Sequence, residues 1–184
     1  MSDRSMLAIL DSIYLFALAA WVGGIAFFSF AVAPVIFAVL GAEQGGRFVR
    51  ALFPRYYAWG VVNGAVALPA LVGVAFCVPG LRGPMVGLQA GLILAGTLTM
   101  MYCGNTLTGR INAARDRGPE GAARFDRLHR RSVRLNGMVL VIGIVLLVLF
   151  ATRPRPPIPG AAPPPGDGRM PARAGSQAGR GLVE

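Results

Sequence analysis

Four stretches without a charged residue, 12–40, 56–81, 83–109 and 135–152, constrain this chain more than any other feature. They are 29, 26, 27 and 18 residues long. A hydrocarbon core about 30 Å thick needs roughly 20 helical residues at about 1.5 Å each. Helices of that length on a soluble domain carry a polar face, and these do not. The sequence therefore predicts an all-α integral membrane four-helix bundle, with spans at about 10–38, 56–78, 85–109 and 133–152. Charged residues make up only 14% of the chain, about half the share in an average soluble domain. The first run passes through Ala19-Ala20-Trp21 and is far longer than the roughly 7–15 apolar residues of a signal peptide. It is expected to stay as a span.

Arginine placement orients the bundle. All 18 basic residues are arginine, against 8 acids. Eleven of them fall in two internal connections: Arg47, Arg50 and Arg55 in one, and Arg110, Arg115, Arg117, Arg124, Arg127, Arg130, Arg131 and Arg134 in the other. Only Arg4, Arg82, Arg153 and Arg155 flank the opposite ends. The positive-inside rule then makes both connections cytoplasmic loops and leaves both termini outside, in the cell membrane. The net charge of +10 points to a bilayer with anionic headgroups as partner, not to nucleic acid. Residues 153–184 hold eight of the fourteen prolines and few large apolar side chains. That segment reads as a disordered Pro/Gly/Arg-rich tail after a transmembrane domain at 1–152.

Polar residues inside the spans are costly unless paired, so they mark where the helices meet. Asn63, Asn105 and Asn136 come from three spans and fall in the same, cytoplasmic half. Phe125, His129, Ser132 and Asn136 step by 4, 3 and 4, one helical face. Thr97, Met101, Asn105, Thr108 and Asn112 step by 4, 4, 3 and 4, with Ser29 at similar depth. Asn105 and Asn136 are expected to face each other. The cluster Asn63, Asn105, Asn136, His129 and Ser132 is either interhelical glue, about 0.6 kcal/mol per bond, or a polar pocket open to the cytoplasm.

Other residues set narrower expectations. Asp126, three residues before His129, should favour the charged imidazolium and pair with Arg130. One helix should run from about Pro119 through the fourth span. Asp11 should sit at the interface. Gly60/Gly64, Gly87/Gly91, Ala19/Gly23 and Ala20/Gly24 offer small-residue contacts for close helix approach. Cys77 and Cys103 lie at opposite faces, on the order of 25 Å apart, too far for a disulfide. No span contains histidine, which argues against haem, and Met100, Met101, Cys103 and Met138 read as packing. No catalytic motif, metal-ligand spacing or carboxylate pair is present. Neither an enzyme nor a cofactor is expected.

Four pieces in order carry a family likeness. They are Trp21-Val-Gly23-Gly24 with Ala33-Pro34, Leu52-Phe-Pro54-Arg-Tyr56-Tyr57, Asn105 with Arg110, and the stripe from Phe125 to Asn136. Over about 6–152 the chain resembles the bacterial four-helix membrane family known as domain of unknown function 4149, and is similar to animal transmembrane protein 205. The resemblance implies a four-helix membrane fold, with Trp21, Gly23, Gly24, Pro34, Pro54, Tyr56, Asn105, Arg110, His129, Ser132 and Asn136 as motif positions. The animal relative is associated with platinum-drug resistance and secretory traffic. The function expected of this chain is that of a multi-pass membrane protein of unresolved activity, with transport or tolerance of a small solute as the leading reading. A narrow four-helix lumen would then call for a homo-oligomer. The alternative is a non-transporting scaffold or assembly factor acting through helix–helix contacts.

Overall fold

The computed structural model describes residues 3–77 and 83–153. The tail 154–184, a separate unit of the chain expected to be disordered, lies outside them. Helices account for nearly all that is described: α1 (Asp3–Phe27), α2 (Ala33–Cys77), α3 (Pro84–Tyr102), α4 (Thr108–Arg115) and α5 (Ala122–Ala151). Wide π-type turns at Phe28–Val32 and Cys103–Leu107 join α1 to α2 and α3 to α4, and a 3-10 turn, Gly118–Gly121, precedes α5.

Three helical runs, Ser5–Cys77, Pro84–Arg115 and Gly118–Ala151, are long and apolar enough to cross a membrane. Their most apolar windows are only 11%, 28% and 17% buried inside the protein. So much bare apolar surface is untenable in water but natural against acyl chains. The outer face is built for lipid, and the chain is a membrane protein.

Gly41 breaks the first run: its φ of 68° is left-handed, a conformation glycine adopts without a Cβ penalty. Beyond it the chain doubles back. The Trp59 indole N–H donates to the Ala20 carbonyl at 3.3 Å, and Leu10 packs on Gly73. α3 runs antiparallel to α2, with Met100 on Gly60 and Thr97 on Gly64. α5 runs antiparallel to α1, with Gly143 against Val22 and Phe150 against Tyr14. Trp21, Leu18, Ile93 and Leu146 fill the centre, each at most 2% exposed. Of the small-residue pairs, Gly60/Gly64 does bring helices together. Gly87, Gly91 and Gly23 face open space, because α3 and α1 turn other sides to their neighbours.

Both arginine-rich connections, read as loops from sequence, are mostly helical. Residues 42–55 belong to α2 with Pro54 inside it, and only Asp116 and Arg117 lie outside helical turns between α4 and the 3-10 turn. A helix satisfies its own backbone beside a bilayer, and arginine is a good helix former. α5 is continuous from Ala122, with Pro119 in the preceding turn, as the proline position predicts. The expected Asp126–Arg130 pair does not form. Ion pairs among the described residues are Glu43–Arg47, Arg50–Asp116 and Asp11–Arg153. Asp126 and Arg130 are both at the surface, where pairing gains little over side-chain entropy.

Candidate functional site

The helical stripe on the first part of α5 opens onto a cavity of about 440 Å³, walled by the end of α1, the following π-turn, α2, α4 and α5. All four stripe residues, Phe125, His129, Ser132 and Asn136, line it. The 4, 3, 4 spacing predicted that shared face, and α5 keeps regular helical pitch there.

Two tyrosines from α2 complete the polar wall. The Tyr56 hydroxyl donates to Asn136 Oδ1 at 2.8 Å, and the Tyr57 hydroxyl shares a 3.0 Å hydrogen bond with Ser132 Oγ. Tyr57 and Ser132 are buried and Tyr56 and Asn136 half-buried, so each bond forms where water competes little. Phe28, Phe53, Tyr56 and Tyr57 form one aromatic cluster, with ring centroids 4.9–6.1 Å apart. Tyr57 ended one of the family-like pieces of the sequence but was not among the expected polar cluster or motif positions. Its signal was adjacency to Tyr56 at the first turn of an uncharged run.

The asparagine constellation does not form. Asn136 meets Tyr56 instead of Asn105. Asn105 is exposed and outside the cavity. It sits in the middle of the wide turn Cys103–Leu107, where the Thr108 hydroxyl donates five residues back to the Cys103 carbonyl at 2.8 Å. One extra residue in a turn rotates the succeeding helix by about 100°, the angle per residue of a helix. Thr108 and Asn112 therefore line the cavity while Thr97, Met101 and Asn105 do not. Asn63 is buried, but its Nδ2 donates back to the Trp59 carbonyl at 2.8 Å, a bond within its own helix. Ser29 reaches the cavity as its depth suggested.

Cations gather on one side. Arg50 pairs with Asp116 at 2.5 Å. Among the described residues Arg115 has no carboxylate within ion-pair distance, and its guanidinium lies 4.8 Å over the Phe125 ring. Phe125 stacks on His129 in turn, with centroids 5.7 Å apart and planes within 5°. The Arg115 guanidinium fits because Gly46 has no side chain: a Cβ there would collide with Nη1. His129 has an open edge, yet the wall removes enough water to lower its pKa below the ordinary value, and Arg115 adds to the effect. Asp126 pulls the other way and is outweighed, so the imidazole is not held charged as the sequence suggested.

The remaining motif positions are structural or peripheral. Trp21 is a core residue; Gly24 admits Trp59; Gly23, Pro34, Pro54 and Arg110 lie at the surface. A second polar group lies at the far end of α1. Asp11 is bound to Arg153, which covers Phe150, and the Tyr14 hydroxyl donates to Gln89 Oε1 at 3.0 Å. Asp11 is thus ion-paired between α1 and the end of α5. A lone glutamine inside an uncharged run was the signal for Gln89.

The model of a family described as a domain of unknown function (DUF4149) matches residues 16–120. No curated protein and no solved structure matches the chain. The matched stretch holds Tyr56, Tyr57, Thr108 and Arg115, whereas the α5 side of the cavity lies beyond it.

Proposed function

We propose that this chain, which belongs to the DUF4149 family, crosses the cell membrane four times and takes a small solute into the cavity beside α5. The four spans, at about 10–38, 56–78, 85–109 and 133–152, lie along the three long helical runs, the first of which is divided at Gly41. Both arginine-rich connections face the cytoplasm and both termini face out, on an arginine bias of 11 to 4 toward anionic headgroups. Reporter fusions at Glu120 and after Arg155 should therefore report cytoplasm and exterior. Finding both on one side would remove this topology.

One observation carries the solute reading: a cavity of about 440 Å³ with a hydrogen-bonded polar wall and an aromatic one. That volume lies within the roughly 300–1,000 Å³ of small-molecule sites. An interior built only to hold helices together would be packed, since voids forfeit dispersion contacts. Transport or tolerance of that solute is the activity this supports, with a homo-oligomer supplying any wider path. The scaffold alternative requires the cavity to be closed.

Thiol labelling separates the two. Asn112 lines the cavity, is half-buried and bridges no other helix through a side-chain bond among the described residues. In a background with Cys77 and Cys103 replaced by alanine, Asn112→Cys should react with a small, membrane-impermeant methanethiosulfonate. Val139→Cys, at a site 2% exposed, should not. An unreactive thiol at position 112 would leave the scaffold reading in its place.

A further inference from the structure

We infer that the cavity's ligand is an anionic amphiphile: one carboxylate or phosphate head on an acyl chain. The inference rests on the solute reading above and adds the ligand's chemistry to it.

The head group is dictated by the charged residues. Two arginines are among the cavity's lining residues, Arg50 and Arg115, and Asp116 pairs with Arg50. Arg115 is left in no ion pair among the described residues. Its flat face lies over the Phe125 ring, and among the described residues its N–H groups make no ion pair. A guanidinium held in this way suits a planar or tetrahedral oxyanion, which it can grip through paired N–H donors. The absence of a side chain on Gly46 leaves room for the guanidinium, which a Cβ there would displace. The Asn112 amide, three residues before Arg115 on α4, can donate to the head, and so can the Ser132 hydroxyl when Tyr57 donates to it.

The acyl chain is dictated by the apolar part of the lining. Phe28 and Phe30 from the π-turn and Phe37 from the start of α2, with Val133 and Leu140 from α5, are apolar lining residues. Phe30 and Val133 are also 76% and 58% exposed on the outer surface. The same side chains thus face the cavity and the acyl phase, so the apolar end of the cavity adjoins lipid. A small hydrophilic anion would leave this wall dry and uncovered, and a neutral amphiphile would leave Arg115 unpaired. A cationic amphiphile would be repelled. Only a molecule with both ends matches both walls.

The measurement is protection of the introduced thiol from methanethiosulfonate, using Asn112→Cys protein in nanodiscs of zwitterionic lipid. Oleate and lysophosphatidate should each slow labelling at least about tenfold, the scale of a charge-assisted hydrogen bond. Oleyl alcohol, oleylamine and inorganic phosphate should not. Arg115→Gln should abolish protection by oleate while the thiol still labels, and Arg115→Lys should restore part of it. Arg124→Gln, at an exposed site outside the cavity, should change nothing. Equal protection by oleyl alcohol would reduce the site to an apolar slot and overturn the inference. Protection by phosphate alone would assign the site to a free anion, and protection that survives Arg115→Gln would remove the residue argued to hold the head. Labelling without protection by either amphiphile would end the inference and leave an open cavity for another solute. A thiol that never labels would end the solute reading as well. The comparison among ligands on protein retaining Arg115 decides the matter even if Arg115 variants fail to fold.

Discussion

Gly121→Ala should destabilise the protein by about 2–3 kcal/mol or more, the range of severe overpacking. Gly121 is buried where the 3-10 turn hands over to α5, and a Cβ there would collide with the Ala114 carbonyl oxygen. The obstacle is backbone of the preceding helix, so no rotamer change relieves it. The turn has little slack, since Gly118 already takes a φ of 61° to reverse the chain. Relief would have to swing the first turns of α5 away from α4, separating Phe125 and His129 from Arg115. The variant should therefore lose midpoint in an unfolding titration and also, when combined with Asn112→Cys, alter the labelling rate. Gly137→Ala is the control. It too lies on α5, but nothing stands within 4 Å of its added carbon. It should be neutral or stabilising by roughly 0.5–1 kcal/mol, because alanine is the better helix former. Similar midpoints for the two variants would show that the α4–α5 turn does not hold the cavity wall in place.

The second large effect belongs to the opposite end of the fold. Removing either Asp11 or Arg153 should cost about 3 kcal/mol, the scale on which a buried pair penalises loss of one partner. Their side chains are 19% and 24% exposed, so a charge left alone there keeps little water. Asp11 is especially exacting: its Oδ1 is buried with no hydrogen-bond partner among the described residues, leaving the Arg153 contact on Oδ2 to hold the carboxylate. Asp11→Leu and Arg153→Leu should each lower the unfolding midpoint in detergent. The double variant should recover a large part of the loss, since leucine at both places removes the desolvated charges together. Additive losses would mean that the two side chains do not depend on each other and that their contact is incidental.

The two ends of the protein differ in how readable they were. The α5 stripe could be seen in the sequence because one regular helix carries all four residues at helical spacing. The Tyr14–Gln89 and Asp11–Arg153 contacts span 75 and 142 residues, and no local pattern links such partners. Asn105 shows the same limit within a single element. Its place in a 4, 4, 3, 4 series was correct for an uninterrupted helix, and the wide turn at Cys103–Leu107 changed the rotation.

Sequence alone determined the helical class, the lipid-facing surface, the extent of the apolar runs and the cavity-facing stripe of α5. Each depends on uncharged length or on periodicity within one element, and burial energetics act on those properties residue by residue. Tertiary structure alone decided that Asn136 meets Tyr56, that Asn63 bonds within its own helix, and that the arginine-rich connections are helical. It also decided that Arg115 stands over Gly46, in no ion pair among the described residues. Those outcomes turn on the rotational register between helices, which a single inserted residue shifts by about 100°. Packing between distant segments, not the local chain, sets that register.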